Sequence, residues 1–427
     1  MTIVVFLVSL CGSMALGVPV AFALLACAVA LMWHGDLLSV RILAQNMLAG
    51  ADNFPLMAVP FFLLAGELMN IGGLSRHIVH MATALVGHVR GGLGFVAILA
   101  ALVMASISGS AVADTAALAA ILIPLMRQAG YPIGRSAGLI AAGGIIAPII
   151  PPSIGFVVFG VAAQVSITKL FLAGIVPGLL MGAALAITWF VIARRAPDLG
   201  GGARPFEWGR LWRACRDGIW ALLLPLLIVG GMKVGAFTPT EAAVVAAVYA
   251  LLIGKFVYRE LTWAAVPEAL YAAARTSAVV MLLVAAAMVS AWLITVANIP
   301  DEVATLLQPV RDDPRLLMAM LMLLVVVVGT ALDFTPTVLI LTPVLMPLVR
   351  QAGIDPVYFG VLFIMNNAIG LLTPPVGSVL NVVAGVGRLE LGLAVRGVWP
   401  FLVVQVGLLF LFVLFPSLVT GPARWFY

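Results

Sequence analysis

The residues best suited to chemistry in this chain are small, uncharged for the most part and set in apolar sequence. Ser108-Gly109-Ser110-Ala111-Val112-Ala113-Asp114 interrupts a hydrophobic run from Leu93 to Met126. Each side of it, Leu93 to Ile107 and Ala111 to Met126, is about one helix of fifteen residues, whereas a membrane span needs roughly twenty. A re-entrant helical hairpin is therefore expected. Backbone that leaves the helix at membrane depth is tolerated only where protein or a water-filled cavity satisfies its polar groups, so the loop is expected to line a site. The plainer alternative is that Ser108, Gly109 and Ser110 are small residues that let two helices pack closely.

A second break follows. Ile133 to Gln164 is one apolar run interrupted by Ala147-Pro148-Ile149-Ile150-Pro151-Pro152. Proline lacks an N–H and clashes with the carbonyl four residues back, so Pro148, Pro151 and Pro152 are expected to release the carbonyls of Gly144, Ala147 and Pro148. Released carbonyls are ligands for hard cations. A kink needs a single proline, and this cluster therefore favours a site.

Both features recur. Ile123-Pro124-Leu125-Met126-Arg127-Gln128-Ala129-Gly130 returns 223 positions later as Met346-Pro347-Leu348-Val349-Arg350-Gln351-Ala352-Gly353. The same offset carries Pro151-Pro152 onto Pro374-Pro375, Gly143-Gly144 onto Asn366-Asn367 and Ser110 onto Asp333. Chance does not readily repeat a hairpin, its exit turn and a broken helix in register. The chain is read as an internal duplication.

Composition sets the class. With 427 residues, 64% of them hydrophobic and 9% charged, and a mean hydropathy of +1.21, there are too few charges to clothe a soluble domain. The long unbroken apolar runs argue for helices over an outer-membrane barrel. The expected fold class is an all-α polytopic membrane protein in a bacterial-type inner membrane. The net charge of +5 is spread singly along the chain and does not suggest nucleic acid, and Cys11, Cys27 and Cys215 offer neither a disulfide framework nor metal-ligand spacing. The first basic residue is Arg41, so the first helix is expected to stay rather than be cleaved.

The elements that position the two breaks are read in order. Residues 1–92 hold a first transmembrane helix over Ile3 to Met32 with a kink at Gly17-Val18-Pro19, an interfacial helix over Leu37 to Leu48, a segment entering the membrane over Phe54 to Met69 and an interfacial connector over Leu74 to Val89. Glu67 near a helix end is read as structural, and His77 with His80 as surface residues of the connector rather than metal ligands. Residues 93–164 hold the first hairpin and broken helix, and 165–193 a helix that ends the first half. Residues 194–217 form a hydrophilic linker with six arginines against three acids, which the positive-inside rule places in the cytoplasm. Residues 218–313 carry helices over Ile219 to Met232 and Ser277 to Val296, a helix opened by Thr238-Pro239-Thr240-Glu241, an interfacial connector over Lys255 to Arg275 and a polar one over Asp301 to Asp313. Residues 314–387 repeat the hairpin and broken helix, and 388–427 end in a last crossing. An odd number of crossings per half makes the two halves inverted repeats and puts both termini outside the cytoplasm.

Ser108-Gly109-Ser110 and Pro151-Pro152, paired with Asp333 and Leu372-Thr373-Pro374-Pro375-Val376-Gly377, together with Pro60-Phe61-Phe62-Leu63-Leu64-Ala65-Gly66 and Thr238-Pro239-Thr240-Glu241-Ala242, resemble the large membrane subunit of tripartite ATP-independent periplasmic (TRAP) transporters. The likeness covers essentially the whole chain. It implies sodium-coupled import of an organic anion, often a carboxylate, taken from a periplasmic binding protein. It also implies a small four-helix membrane subunit, expected as a separate chain, and an elevator motion in which a transport domain slides along a scaffold. No Walker A run, His-Glu-x-x-His or Gly-x-Ser-x-Gly elbow competes, so the chain is not expected to be an enzyme. The rivals are a stand-alone ion-coupled carboxylate carrier and a non-transporting membrane scaffold.

A hairpin tip facing a broken helix brings helix N-termini, which favour anions, next to unwound carbonyls and hydroxyls, which favour sodium. At least two sodium sites are expected. Ser108 and Ser110 with carbonyls near Gly144 and Ala147 form the first, and Gly329, Thr330, Asp333 and Thr373 with the carbonyls of Gly370 and Leu371 form the second. The anionic substrate is expected to meet Ser110, Asp114, Thr115, Ser153, Thr335, Asn366 and Asn367.

Overall fold

The computed structural model describes residues 2–195, 207–306, 313–330, 332–374 and 376–426, and no strand occurs among them. The first half contains α1 (Thr2–Ala15), α2 (Val20–His34), α3 (Val40–Ala51), α4 (Ala58–Ile71, entered through a 3-10 turn over Phe54–Met57), α5 (Leu74–Val86), α6 (Gly92–Ser108), α7 (Ala111–Gln128), α8 (Ile133–Gly144), α9 (Ile154–Ala163) and α10 (Ile167–Arg195). The second contains α11 (Trp208–Lys233), α12 (Pro239–Leu252), α13 (Val266–Val296), α14 (Ile299–Leu306), α15 (Pro314–Gly329), α16 (Phe334–Gln351), α17 (Pro356–Gly370), α18 (Ser378–Gly387), α19 (Leu391–Leu414) and α20 (Ser417–Phe426). Helix α16 begins and ends 223 positions after α7, and α17 begins 223 after α8. Eight helices among the described residues are long and apolar enough to cross a membrane. The chain is a multi-pass membrane protein.

Four boundaries differ from the sequence reading. The run from Ile3 to Met32 is two helices, not one crossing. Gly17 at φ +79° and Pro19, which has no N–H to continue a helix, end α1, and α2 folds back so that Cys27 Sγ reaches the Phe6 carbonyl at 3.6 Å. Arg210, Arg213 and Arg216 lie on α11 rather than in a loop, so the hydrophilic linker is shorter than its polarity implied, and residues 196–206 lie outside the described ones. The second part of the connector over Lys255 to Arg275, from Val266 on, belongs to the 31-residue helix α13, where Ala269, Ala273 and Ser277 are buried along one face. The connector over Asp301 to Asp313 begins as the end of α14, and residues 307–312 lie outside the described ones.

The two halves interlock. Helix α9 of the first half packs on α16 of the second, and α18 of the second packs on α7 of the first. The same exchange places α19 on α8 and α10 on α17. The α8–α19 crossing is closest where Gly134 and Gly138, one turn apart, meet Gly397: a Cβ on Gly138 would lie 2.6 Å from the Gly397 carbonyl carbon. Spacing of small residues four apart is what lets backbones approach so closely in a membrane. Outside this block, α12 packs on α4, α13 on α2, α3 and α4, and α11 on α5. Trp189 of α10 is fully buried, donates from Nε1 to the Gly91 carbonyl at 2.8 Å and stacks between Tyr131 and Phe401.

Candidate functional site

Each hairpin tip is pressed against the break of its own half. In the first, α6 ends at Gly109 with φ +63°, and a Cβ there would meet the Pro152 carbonyl, the Ser153 Cα at 3.0 Å and the Ile154 nitrogen at 3.2 Å. Glycine is required both by the backbone and by the space. Ser110 caps α7 by accepting from the Ala113 N–H at 3.4 Å, while Ser108 Oγ accepts from the Ser110 N–H at 3.1 Å and donates to Asp114 Oδ1. Ser108 and Asp114 therefore tie the end of α6 to the first turn of α7. In the second hairpin, Gly329 and Gly370 are in backbone contact, and Asp333 precedes α16 in the N-cap position without capping it through its side chain.

Between this block and the helices around it lies a cavity of about 650 Å³. Its inner wall carries the starts of four helices: Ser110 and Ala111 of α7, Ile154 and Gly155 of α9, Asp333 to Pro336 at α16, and Ser378 of α18. Its outer wall is Pro19 to Phe22 at α2, Leu63 of α4 and a stripe of α13 including Thr276, Val279 and Leu283. A helix N-terminus bears about half a positive charge and free N–H groups, so four together make a wall suited to an anion.

Of the seven residues expected to meet substrate, Ser110 and Thr335 are on this wall. The other five are placed behind it. Asp114 borders a separate void of about 10 Å³ with Asn70 and Ser75. Thr115 is fully buried and abuts Gly144. Ser153 spans the proline break, its Oγ donating to the Pro148 carbonyl at 2.5 Å and accepting from the Phe156 N–H at 3.2 Å. Asn366 donates to the Met322 carbonyl at 2.6 Å and Asn367 to that of Phe363 at 2.7 Å. Their residue types suggested ligands; their register on the helices, which one sequence does not display, turns them inward.

The carbonyls expected to be released are partly re-used. Gly144 O accepts from Ala147 N at 3.1 Å, Gly370 O from Thr373 N at 3.0 Å and Leu371 O from Val379 N at 3.2 Å. Thr330 and Thr373 turn their hydroxyls to the Val327 and Ile369 carbonyls. Each carbonyl keeps a second lone pair. Pro375 lies outside the described residues.

This duplicated, crossed-over block facing a lined cavity coincides with a sequence match over residues 7–418 to the family described as "Tripartite ATP-independent periplasmic transporter, DctM component". The chain belongs to that TRAP transporter family. Among its relatives, the 2,3-diketo-L-gulonate TRAP transporter large permease protein of Escherichia coli (strain K12) is 55% identical over 425 residues, covering 100% of both chains. The sialic acid TRAP transporter large permease protein of Vibrio cholerae is 40% identical over 95% of each. The solved structure of the YdaH transporter of Alcanivorax borkumensis aligns with a TM-score of 0.61 over 88% of each chain at 17% identity, a likeness of fold alone.

In this TRAP large permease, buried side-chain oxygens without a hydrogen-bond partner gather beside the two tips: Asp114 Oδ2 and Thr115 Oγ1 in the first half, and Asn366 Oδ1, Asn367 Oδ1 and Ser378 Oγ in the second. A buried polar atom without a partner costs about 1–3 kcal/mol. Oxygen-only sets of this kind fit a hard cation such as sodium. Asp114, Thr115, Asn366 and Asn367, expected at the substrate, are among the residues that carry such oxygens. The structure also brings Glu260 to 3.4 Å from His77 and 3.3 Å from Arg76, a grouping too distant in sequence to be seen there.

Proposed function

We propose that this chain is the large permease of a sodium-coupled importer of a small organic anion, delivered by a periplasmic binding protein and carried by an elevator motion. The observation that supports it most is the cavity on whose inner wall four helices begin. The relatives named for 2,3-diketo-L-gulonate, sialic acid and C4-dicarboxylate suggest a carboxylate cargo, and about 650 Å³ suits a molecule of sugar-acid size.

In this reading the N–H groups opening α7, α9, α16 and α18 orient the carboxylate, Ser110 and Thr335 offer hydroxyls to it, and the apolar stripe of α13 with Leu63 excludes water from its far side. Ser108, Ser110, Thr115 and the Gly144 and Ala147 carbonyls would hold sodium in the first half, and Thr330, Asp333, Asn366, Asn367 and the Gly370 carbonyl in the second. Sodium bound there would offset the Asp333 carboxylate, which otherwise opposes an anion on the same wall. The interlocked block from α6 to α9 and α15 to α18 would move as a body against α2, α4, α5, α11, α12 and α13. A separate small membrane subunit completes the permease in the inner membrane, with the arginine-rich linker in the cytoplasm.

Reconstitution with a cognate small subunit and binding protein tests this. Uptake of a labelled carboxylate should require all three components and an inward sodium gradient. Uptake by the large chain alone would replace this reading with a stand-alone carrier.

A further inference from the structure

The helices that frame the block are duplicated as the block is. Gly73 and Asn298, at φ +82° and +53°, stand just before α5 and α14. They are 225 positions apart, close to the 223 that relates α7 to α16. Between these two offsets Asn53 corresponds to residues 276–278 and Met57 to residues 280–282. Pro19, before α2, corresponds to Pro239 of α12, 220 positions on. Packing follows the same mapping, with α2 on α13 and α12 on α4.

The cavity at the hairpin tips takes its outer wall from Pro19 to Phe22 and from α13 between Thr276 and Leu283. The equivalents of both segments, Thr238 to Thr240 and Asn53 to Pro55, meet as one wall of a second cavity, of about 440 Å³. Helix α9 runs from one cavity to the other. Its first residues, Ile154 and Gly155, line the first, whereas Gly160, Val161 and the closing Gln164 line the second together with the start of α10. The 29 residues of α10 extend about 43 Å, enough to cross a bilayer, and its other end meets the arginine-rich linker. The second cavity therefore lies at the membrane face opposite that linker. Beside it the frame is uncovered: Phe54 is 64% exposed and Met57 49%.

We propose that the surface of Asn53, Phe54, Met57 and Thr240 is the outer wall of the same anion site when the block stands at the membrane face opposite the linker, an inference that rests on the importer reading above. The block now sets α16 against α13, with Thr335 and Val280 both lining the tip cavity. Their equivalents in the first half are Val112 of α7 and Met57 at the entry to α4. Val112 shares the tip cavity with Leu63, six residues beyond Met57, so a displacement of about 9 Å along α4 brings Val112 to Met57. The two walls differ in chemistry. The wall now in use offers Thr276 among apolar residues. The opposite wall offers Asn53, whose side chain does not cap the turn it precedes and is left to donate its amide N–H groups to a carboxylate or hydroxyl of the cargo. The anion thus meets a better donor at the face opposite the linker than at the linker face.

Double-cysteine variants of the full chain, with Cys11, Cys27 and Cys215 replaced by alanine and a cognate small subunit present in proteoliposomes, test this. A short bismaleimide should join Met57→Cys/Val112→Cys at least about tenfold faster than Val112→Cys/Val248→Cys, because two thiols brought face to face have a far higher effective concentration. Val248, on α12, is 52% exposed and lines neither cavity. Spin labels on Val29→Cys of α2 and Val112→Cys report separately whether the block moves. Both positions belong to the first half, so a rocking of halves keeps one separation, whereas a sliding block gives two across sodium-loaded and sodium-free samples. Two separations with rapid joining of Met57 and Val112 would support the second wall. Two separations with joining no faster than at Val248 would overturn that wall and leave the elevator standing. A single separation would overturn the elevator reading, and this inference with it.

Discussion

Arg350, at the end of α16, donates from Nη2 to the Ala163 carbonyl at 2.7 Å, closing the C-terminus of α9 from the other half of the chain. Its counterpart 223 positions earlier, Arg127 at the end of α7, donates to the Gly387 carbonyl at 3.1 Å and closes α18. Each half thus supplies the cation that satisfies the last turn of the other half's broken helix, where the macrodipole is negative. Both side chains are partly exposed, so each bond contributes about 0.5–1.5 kcal/mol.

From this pairing, Arg127→Ala/Arg350→Ala should lower the thermal unfolding midpoint and reduce uptake together, with each single variant giving roughly half the change. Unchanged unfolding in the double variant would show that the arginines are not what joins the halves.

Gly109→Ala should abolish uptake. It adds a Cβ at φ +63° into the Pro152 carbonyl, so the tip must retreat from the break. Gly130→Ala provides the contrast: φ is +77° but nothing lies within 4 Å, so only backbone strain of about 1–2 kcal/mol is added. Initial rates of the two variants, corrected for folded protein, decide whether the tip-to-break contact matters.

Asp333→Asn should weaken the sodium dependence of uptake far more than Glu67→Gln. Asp333 lines the cavity at a helix start, whereas Glu67 is half-buried on α4 and is not part of that lining. Comparing the sodium concentration for half-maximal rate in the two variants checks this, and equal shifts would mean that intramembrane acids matter here without regard to place.

A cysteine at Gly201 should react only with thiol reagents that reach the cytoplasm. Labelling of intact cells by an impermeant reagent would reverse the orientation.

Cross-links between Ile123→Cys on α7 and Gly387→Cys at α18 should leave uptake intact, because the two positions belong to the interlocked block. Cysteine pairs joining α13 to α16 should stop it. The opposite outcome would replace the elevator with a rocking of one half against the other.

Much of this architecture is legible in the sequence because the duplication repeats short motifs at one offset. Pro124 and Pro347, Arg127 and Arg350 place both hairpins and both breaks to within a few residues. What is not legible depends on helix register and on long-range contact. Pro19 reads as a kink in a long apolar run, whereas Gly17 at positive φ and Pro19 end α1 there and α2 folds back until Cys27 meets Phe6. Ser153 reads as a polar ligand beside the prolines, and its hydroxyl instead stitches the break together. The tip contact of Ser108 with Asp114 joins residues only six apart and is legible locally; the four helix starts on one wall are not, since two of them arrive from the other half.

The glycine crossing of α8 and α19 extends the question from the protein to its solvent. With backbone against backbone at Gly134, Gly138 and Gly397, α19 has no side-chain cushion over which to slide, so it travels with α8 if the block moves. Its outer face exposes Val403, Leu411 and Leu414, and α10, joined to the same block, exposes Ile187 and Phe190. A moving block would then carry a hydrocarbon-facing flank, and each stroke would shear and reshape the surrounding lipid. Turnover should accordingly vary with acyl-chain length and membrane viscosity even when ion and substrate concentrations are held constant.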